Sequence, residues 1–375
     1  MVTARLVRGM SAVLTVCALA EASTAWAQQR PLVTEDPLTV GGGQILVETG
    51  VDWMRHVTFP ASGLTGDVLS VPTIGLSVGV GPMAEIQIDG SPYRRLRITE
   101  RRDAPLSKVL SFTGNETTAV DDFVIATKLR FMNEGTGRPA IGMRFATKLP
   151  NASNESGLGQ DTTDFFATFL IGKTIKSLRL VGNVGLGILG DPTVAARQED
   201  LLTFGMSMAK ALGAGLEVVA EYNGRMNVAE TSPAPGTENR GVARAGLRFT
   251  HGPVRFDAAA LFGATSTDLD TGVTAGLTWV LSIIGLVVVV RSALIPLFVR
   301  QIKSQRKMME IAPELRKVQE KYRGKKDQLS REAMSRETMA LYKKHGTTPV
   351  SSCLPLLVQM PILLGMFYTL SDVKK

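Results

Sequence analysis

From residue 44 to residue 281 the chain repeats one property. Stretches of roughly ten residues alternate apolar and polar side chains, and Gly, Pro, Asn, Asp and Ser separate them. In 121–132, Phe123, Ile125, Leu129 and Phe131 fall on one side, Lys128 and Arg130 on the other. In 140–149, Ile141, Met143, Phe145 and Leu149 oppose Arg144 and Lys148. Leu216, Val218 and Tyr222 oppose Glu217 and Glu221; Ala243, Leu247 and Phe249 oppose Arg244 and Arg248; Val254, Phe256 and Phe262 oppose Arg255 and Asp257. A period of two is strand geometry, because successive side chains leave opposite faces of the pleat. About twelve such segments are present.

Strands of this length with one apolar and one charged face predict an antiparallel transmembrane barrel, apolar toward lipid and polar toward the lumen. The rival is a soluble β-sandwich. It would have to pack Lys128, Arg130, Arg144, Arg179, Arg244 and Arg248 into a core, where unpaired charge is prohibitive. The inward charges admit two readings: preference for an anionic solute, or pairing with Glu217, Glu221 and Asp257 across strands to stiffen the barrel. Residues 1–27 read as a secretory signal peptide, with Arg5 and Arg8 before an apolar stretch and Ala25-Trp26-Ala27 as the cleavage site. Arg30-Pro31-Leu32-Val33-Thr34-Glu35-Asp36, just after it, resembles the start of bacterial outer-membrane transporter-like barrels, a likeness that suggests no substrate.

At 281 the pattern changes. The run 281–299 is apolar over 19 residues except for Arg291, long enough to span a hydrocarbon core of about 30 Å as a helix. A guanidinium in such a helix costs at least ~2.5–3.5 kcal/mol on insertion scales, so it must face a partner or a water-filled cavity. Residues 300–344 follow, with 14 Lys and Arg against 6 Asp and Glu; they carry the whole net charge of +8, and the rest of the chain is neutral. The high pI therefore describes this segment alone and does not make the whole protein a nucleic-acid binder. Ile311, Leu315, Val318 and Tyr322 recur at helical spacing and Gly324 marks a turn, which predicts an amphipathic helical hairpin. A second apolar span, 350–370, comes after Pro349. The positive-inside rule keeps the hairpin cytoplasmic.

Cys353 is alone once Cys17 is removed with the signal peptide, and His56, His251 and His345 share no metal or triad spacing. With no nucleophile–base pair and no phosphate loop, the expectation is a non-enzyme with no cofactor, no metal and no catalytic residue.

The run from about residue 277 to residue 373, within a C-terminal region 277–375, resembles the YidC-type membrane protein insertases, most closely the versions from high-GC Gram-positive bacteria. The motifs that carry the likeness stand in family order. They are Val290-Arg291, Leu294-Ile295-Pro296-Leu297, Gln301-Ile302-Lys303-Ser304-Gln305-Arg306-Lys307-Met308, Ala312-Pro313-Glu314-Leu315, Lys321-Tyr322, Met339-Ala340-Leu341-Tyr342-Lys343-Lys344-His345-Gly346, and Ser351-Ser352-Cys353-Leu354-Pro355-Leu356-Leu357-Val358-Gln359-Met360-Pro361-Ile362. Thr348 stands where the family usually has Asn.

The resemblance implies insertion of nascent membrane proteins into the bilayer without ATP, through a hydrophilic groove open to the cytoplasm and to lipid. It maps the groove arginine onto Arg291, with Gln359 as a second groove candidate. It makes Lys303, Arg306, Lys307, Met308, Met309, Arg316, Lys317 and Lys321 of the hairpin contacts for clients or ribosomes. The implied partners are nascent membrane proteins, the ribosome, the Sec translocon and the lipid bilayer. Only two helices of a five-helix core precede Lys375, so this region is expected to be a truncated insertase.

The expected fold class is thus a mixed membrane protein. Residues 28–276 form an antiparallel β-barrel-like region, and an α-helical membrane segment with a cytoplasmic hairpin follows. The first part belongs in an outer membrane and the second in an inner (plasma) membrane. Residues 273–281 read equally well as the closing strand of a barrel and as the entry to a membrane helix. The expectation is a junction there between two unrelated coding sequences, by fusion or by a mis-assembled frame. The insertase reading is primary, because its motifs are the more specific. A barrel channel or transporter is the alternative.

Overall fold

The computed structural model describes residues 29–282 apart from 195 and 229–232, together with 313–315, 318, 320–323 and 328–344. The chain divides into two compact units, Met1–Ile284 and Gly285–Lys375.

In the first unit the alternating segments become strands. They are β1 (Gln44–Phe59), β2 (Leu64–Gly79), β3 (Ala84–Gly90), β4 (Arg94–Arg101), β5 (Glu116–Ala119), β6 (Val124–Met132), β7 (Ala140–Lys148), β8 (Asp164–Ile175), β9 (Leu178–Gly190), β10 (Gln198–Gly213), β11 (Leu216–Asn227), β12 (Arg240–His251), β13 (Val254–Gly263) and β14 (Thr271–Ser282). All pairings are antiparallel, and β1 is bonded to both β14 and β2, so a ring of twelve strands closes. Closure removes the sheet edges that an open sheet would expose. The remaining strands, β4 and β5, extend the wall where β4 pairs with the first half of β2 and β5 with β4.

Connections at one end are tight. Ala214 (φ 50°) and Gly215 (φ 79°) are both left-handed, as a two-residue hairpin turn requires. The connections at the other end, such as 149–163 and 228–239, are longer. Burial is inside out relative to a soluble protein: Lys128 is 0% exposed, whereas Leu186 is 61% and Met206 73% exposed. That decides against the soluble sandwich. The outward faces form an apolar belt, with Phe131, Phe145, Phe165, Phe169, Leu247 and Phe256 among its exposed members. Inside, at the end where β1 turns into β2, Val57, Leu64, Val68, Leu96, Leu158, Leu261 and Leu269 form an apolar cluster.

The mixed fold class is corrected by these observations. The described molecule is a β-barrel with only short helices, and among the described residues no helix is long and apolar enough to cross a membrane. The apolar helix expected from residue 281 begins, where it is described, as strand: Leu281 and Ser282 complete β14 by pairing with Ile45 and Gln44. Tertiary pairing overrides the helical hydrophobic run because β1 offers a free edge in register. Residues 283–299 and 350–370, like the signal-peptide residues 1–27, lie outside the described residues.

In the second unit, residues 313–315 are helical and α1 spans Gln328–Lys344. Good helix formers dominate α1, and Glu332 and Arg336 approach to 4.0 Å one turn apart.

Candidate functional site

Residues 29–43, which precede β1, cross the inside of the barrel, and inward-facing side chains pin them from most of its circumference. Arg30 donates to Thr73 Oγ1 of β2 (2.9 Å) and to Thr274 Oγ1 of β14 (2.7 Å), and pairs with Asp257 of β13 at 3.4 Å. Gly50 and Gly276 face each other in the β1–β14 register, and a Cβ on either would collide with the Arg30 guanidinium. The glycines therefore make room for the arginine.

One turn further along, Glu221 of β11 accepts the backbone N–H groups of Val33 and Thr34 (2.9 and 2.6 Å). Lys128 of β6 is fully buried between Glu35 (3.2 Å) and Glu85 of β3 (2.8 Å), and Arg144 of β7 meets Glu35 at 2.9 Å. Asp36 takes the fork of Arg179 of β9 at 2.7 and 2.9 Å. Val40 N–H reaches Glu85 at 2.6 Å. Arg248 donates to the carbonyls of Arg30 and Gln29.

The complementarity runs both ways: basic strands meet acidic plug residues, and acidic strands meet plug N–H groups and Arg30. In low dielectric such pairing offsets much of the cost of burying these charges. Arg179 also binds Glu134 of the β6–β7 turn at 2.6 Å. Burial opposes ionisation of Glu134, but the Thr174 N–H and Arg179 outweigh it and hold the carboxyl below its usual range.

Pairing across strands, the second reading of the inward charges, holds for Glu221 with Arg244 (2.7 Å) and, loosely, for Glu217 with Arg255 (3.9 Å). Asp257 instead serves Arg30. The alternation placed the strand charges inside, but it gave no sign that Glu35 and Asp36 would be their partners. The only signal was two acids in a short segment ahead of the first strand.

Above this segment lies a cavity of about 420 Å³, bordered by Thr34 and Glu35 below and by Met54, Val57, Val242 and Leu269 of the apolar end. Arginines 94, 144, 225, 240 and 244 line it.

Of the residues expected to contact clients, only Lys321 is described. Its ammonium meets Glu337 of α1 at 2.6 Å and lies 5.3 Å from the Tyr322 ring centroid, with its side chain 59% exposed. This pair holds Glu337 below and Lys321 above their usual ranges, through the hydrogen bond between them. Arg291, Gln359, Lys303, Arg306, Lys307, Met308, Met309, Arg316 and Lys317 lie outside the described residues.

Two sets of known proteins are similar to this chain. Residues 271–375 match the family model described as the 60Kd inner membrane protein. Similar curated proteins include the membrane protein insertase YidC of Tropheryma whipplei, 51% identical over 106 residues, covering 28% of this chain and 34% of that protein. The YidC of Bifidobacterium longum is 55% identical over 98 residues, covering 26% and 29%. The chain thus spans about a third of the length of the curated relatives it matches. Solved structures similar in fold include an outer membrane channel from Pseudomonas putida F1 (10% identity, TM-score 0.49, covering 65% of this chain and 98% of that one). The translocator domain of the autotransporter NalP from Neisseria meningitidis also matches (11% identity, TM-score 0.40, covering 74% and 96%). The family match begins at residue 271, which is also the first residue of β14.

Proposed function

We propose that residues 277–375 are part of a YidC-type membrane protein insertase that assists insertion and folding of integral membrane proteins at the inner membrane. The observation that carries this reading is the family match over 271–375, which includes Arg291 and the charged 300–344 segment. Arg291 draws carboxylates of an incoming segment into the bilayer, since a half-buried cation acts strongly in low dielectric. Gln359 offers a further polar contact along that path. Lys303, Arg306, Lys307, Arg316, Lys317 and Lys321 meet ribosomal RNA or anionic headgroups, and Met308 and Met309 adapt to varied apolar segments. Photocrosslinkers at Met308 and Met309 test this: crosslinks to nascent membrane proteins and ribosomes are expected, and charge reversal across 300–344 should abolish them. Equal crosslinking by the reversed variant would sink the reading.

A second reading rests on the closed ring with its exposed apolar belt: an outer-membrane barrel, channel or transporter, filled by residues 29–43. Both readings claim 271–282, so we further propose that two coding sequences meet within that stretch. A single long DNA read across the codons for Val273 to Ser292 tests it. Molecules carrying both sides establish a fused protein; their absence assigns the two functions to two separate proteins.

A further inference from the structure

The cavity above the N-terminal segment holds two guanidiniums that the ion network leaves over. Arg225 of β11 and Arg240 of β12 stand directly opposite each other in register, on the inward face. Like charges so placed repel. Their direct hydrogen-bond acceptors are backbone carbonyls, while the carboxylates of Glu238 and Asp268 act on them only from a longer range. Arg225 donates to the Glu238 and Gly236 carbonyls (3.2 and 2.6 Å), and Arg240 donates to the Thr58 carbonyl at 3.1 Å. Among the described residues neither lies within 4.0 Å of a carboxylate, and the buried Nε of Arg240 has no hydrogen-bond partner. The other cations around the cavity have direct carboxylate partners. Arg244 pairs with Glu221, Arg144 with Glu35, and Arg94 with Asp121. Asp268 accepts from Gly241 N–H, Thr265 N–H and Thr265 Oγ1. Facing the arginine pair, Met54, Val57, Val242 and Leu269 form an apolar wall.

We propose that this cavity binds a small amphipathic organic anion, its carboxylate between Arg225 and Arg240 and its alkyl body on the wall of Met54, Val57, Val242 and Leu269. A charged fork beside an apolar wall selects for a molecule with one anionic end and one greasy end. The volume suits a short chain. The inference rests on the barrel reading only for the fold; binding reports on the site whether or not the barrel passes a solute.

The test is calorimetric titration of the full chain, held in amphipol, with hexanoate, hexan-1-ol and inorganic phosphate, each against a protein-free blank. Heat-modifiable migration on gels establishes that each preparation is folded. Saturable hexanoate binding is expected, about tenfold weaker in Arg225→Gln and in Arg240→Gln, which each lose charge-assisted hydrogen bonds. Val242→Trp, which fills the apolar side, should abolish it even if an arginine variant fails to fold. Hexan-1-ol should bind more weakly and be indifferent to the arginine variants. Absence of saturable hexanoate binding by folded protein overturns the proposal, as does equal binding of the alcohol. Phosphate binding that depends on the arginines but not on Val242 overturns it too, since it marks a plain anion site.

Discussion

The barrel interior and the charged surface of the C-terminal unit use the same residue types to different ends. Lys128, with no exposure at all, sits between two carboxylates and joins three segments far apart in sequence. Lys321 meets a single carboxylate with its side chain 59% exposed. Burial makes the first pairing obligatory, because breaking it strands charge in low dielectric. Exposure makes the second optional, because water replaces the partner. A count of ion pairs would rate them alike.

The sharpest way to break the comparison is Lys128→Met. It leaves Glu35 and Glu85 buried without their cation, and a loss of about 3–5 kcal/mol is expected in urea unfolding followed by tryptophan fluorescence. Adding Glu85→Gln should recover part of it, since Glu35 keeps Arg144 as its cation; a single variant as stable as the parent would mean the cluster is hydrated.

Arg30→Ala comes next. It removes two ion pairs and three side-chain hydrogen bonds of the N-terminal segment, for about 1.5–3 kcal/mol in the same assay. The effect is smaller because Thr274 keeps its bond to Asp52. Loosening this segment should also raise ion conductance in planar bilayers. Unchanged conductance would show that the segment is not what fills the lumen.

Smaller still is a pH effect at Glu134, whose carboxyl is held below its ordinary value of 4.5. A depressed carboxylate contributes stability that is full above the unfolded pKa and lost as pH falls through the folded one. The melting temperature should therefore drop slightly below pH 4.5, and Glu134→Gln should remove that part of the drop.

At the far end of the scale, Lys321→Ala should leave the thermal melt of the chain unchanged. A measurable loss would show that this surface pair does more than its exposure allows.

The strand positions and the side of each that faces inward were largely legible in the residues themselves. Phe123 through Phe131 alternate with Lys128 and Arg130, and the same pattern recurs in β7, β11, β12 and β13. What misled was Leu281. Its apolar neighbours read as the start of a helix, yet it pairs with Ile45, more than two hundred residues earlier. Hydrophobic runs of this kind do not distinguish strand from helix locally, and only the distant partner settles the outcome.

The candidate site divides in the same way. Alternation alone determined that Lys128, Arg144, Arg179, Arg244 and Arg248 face inward, because a two-residue period leaves them nowhere else to go once the apolar face meets lipid. The family motifs between 290 and 362 were likewise a property of the sequence. Only the tertiary structure decided which charges are satisfied. It brought Glu35 and Asp36 from before the first strand to Lys128, Arg144 and Arg179, and it set Arg225 against Arg240 with backbone carbonyls as their direct hydrogen-bond acceptors. The physical reason is that facing inward follows from local geometry, whereas a partner inside a closed barrel comes from wherever in the chain the ring brings it.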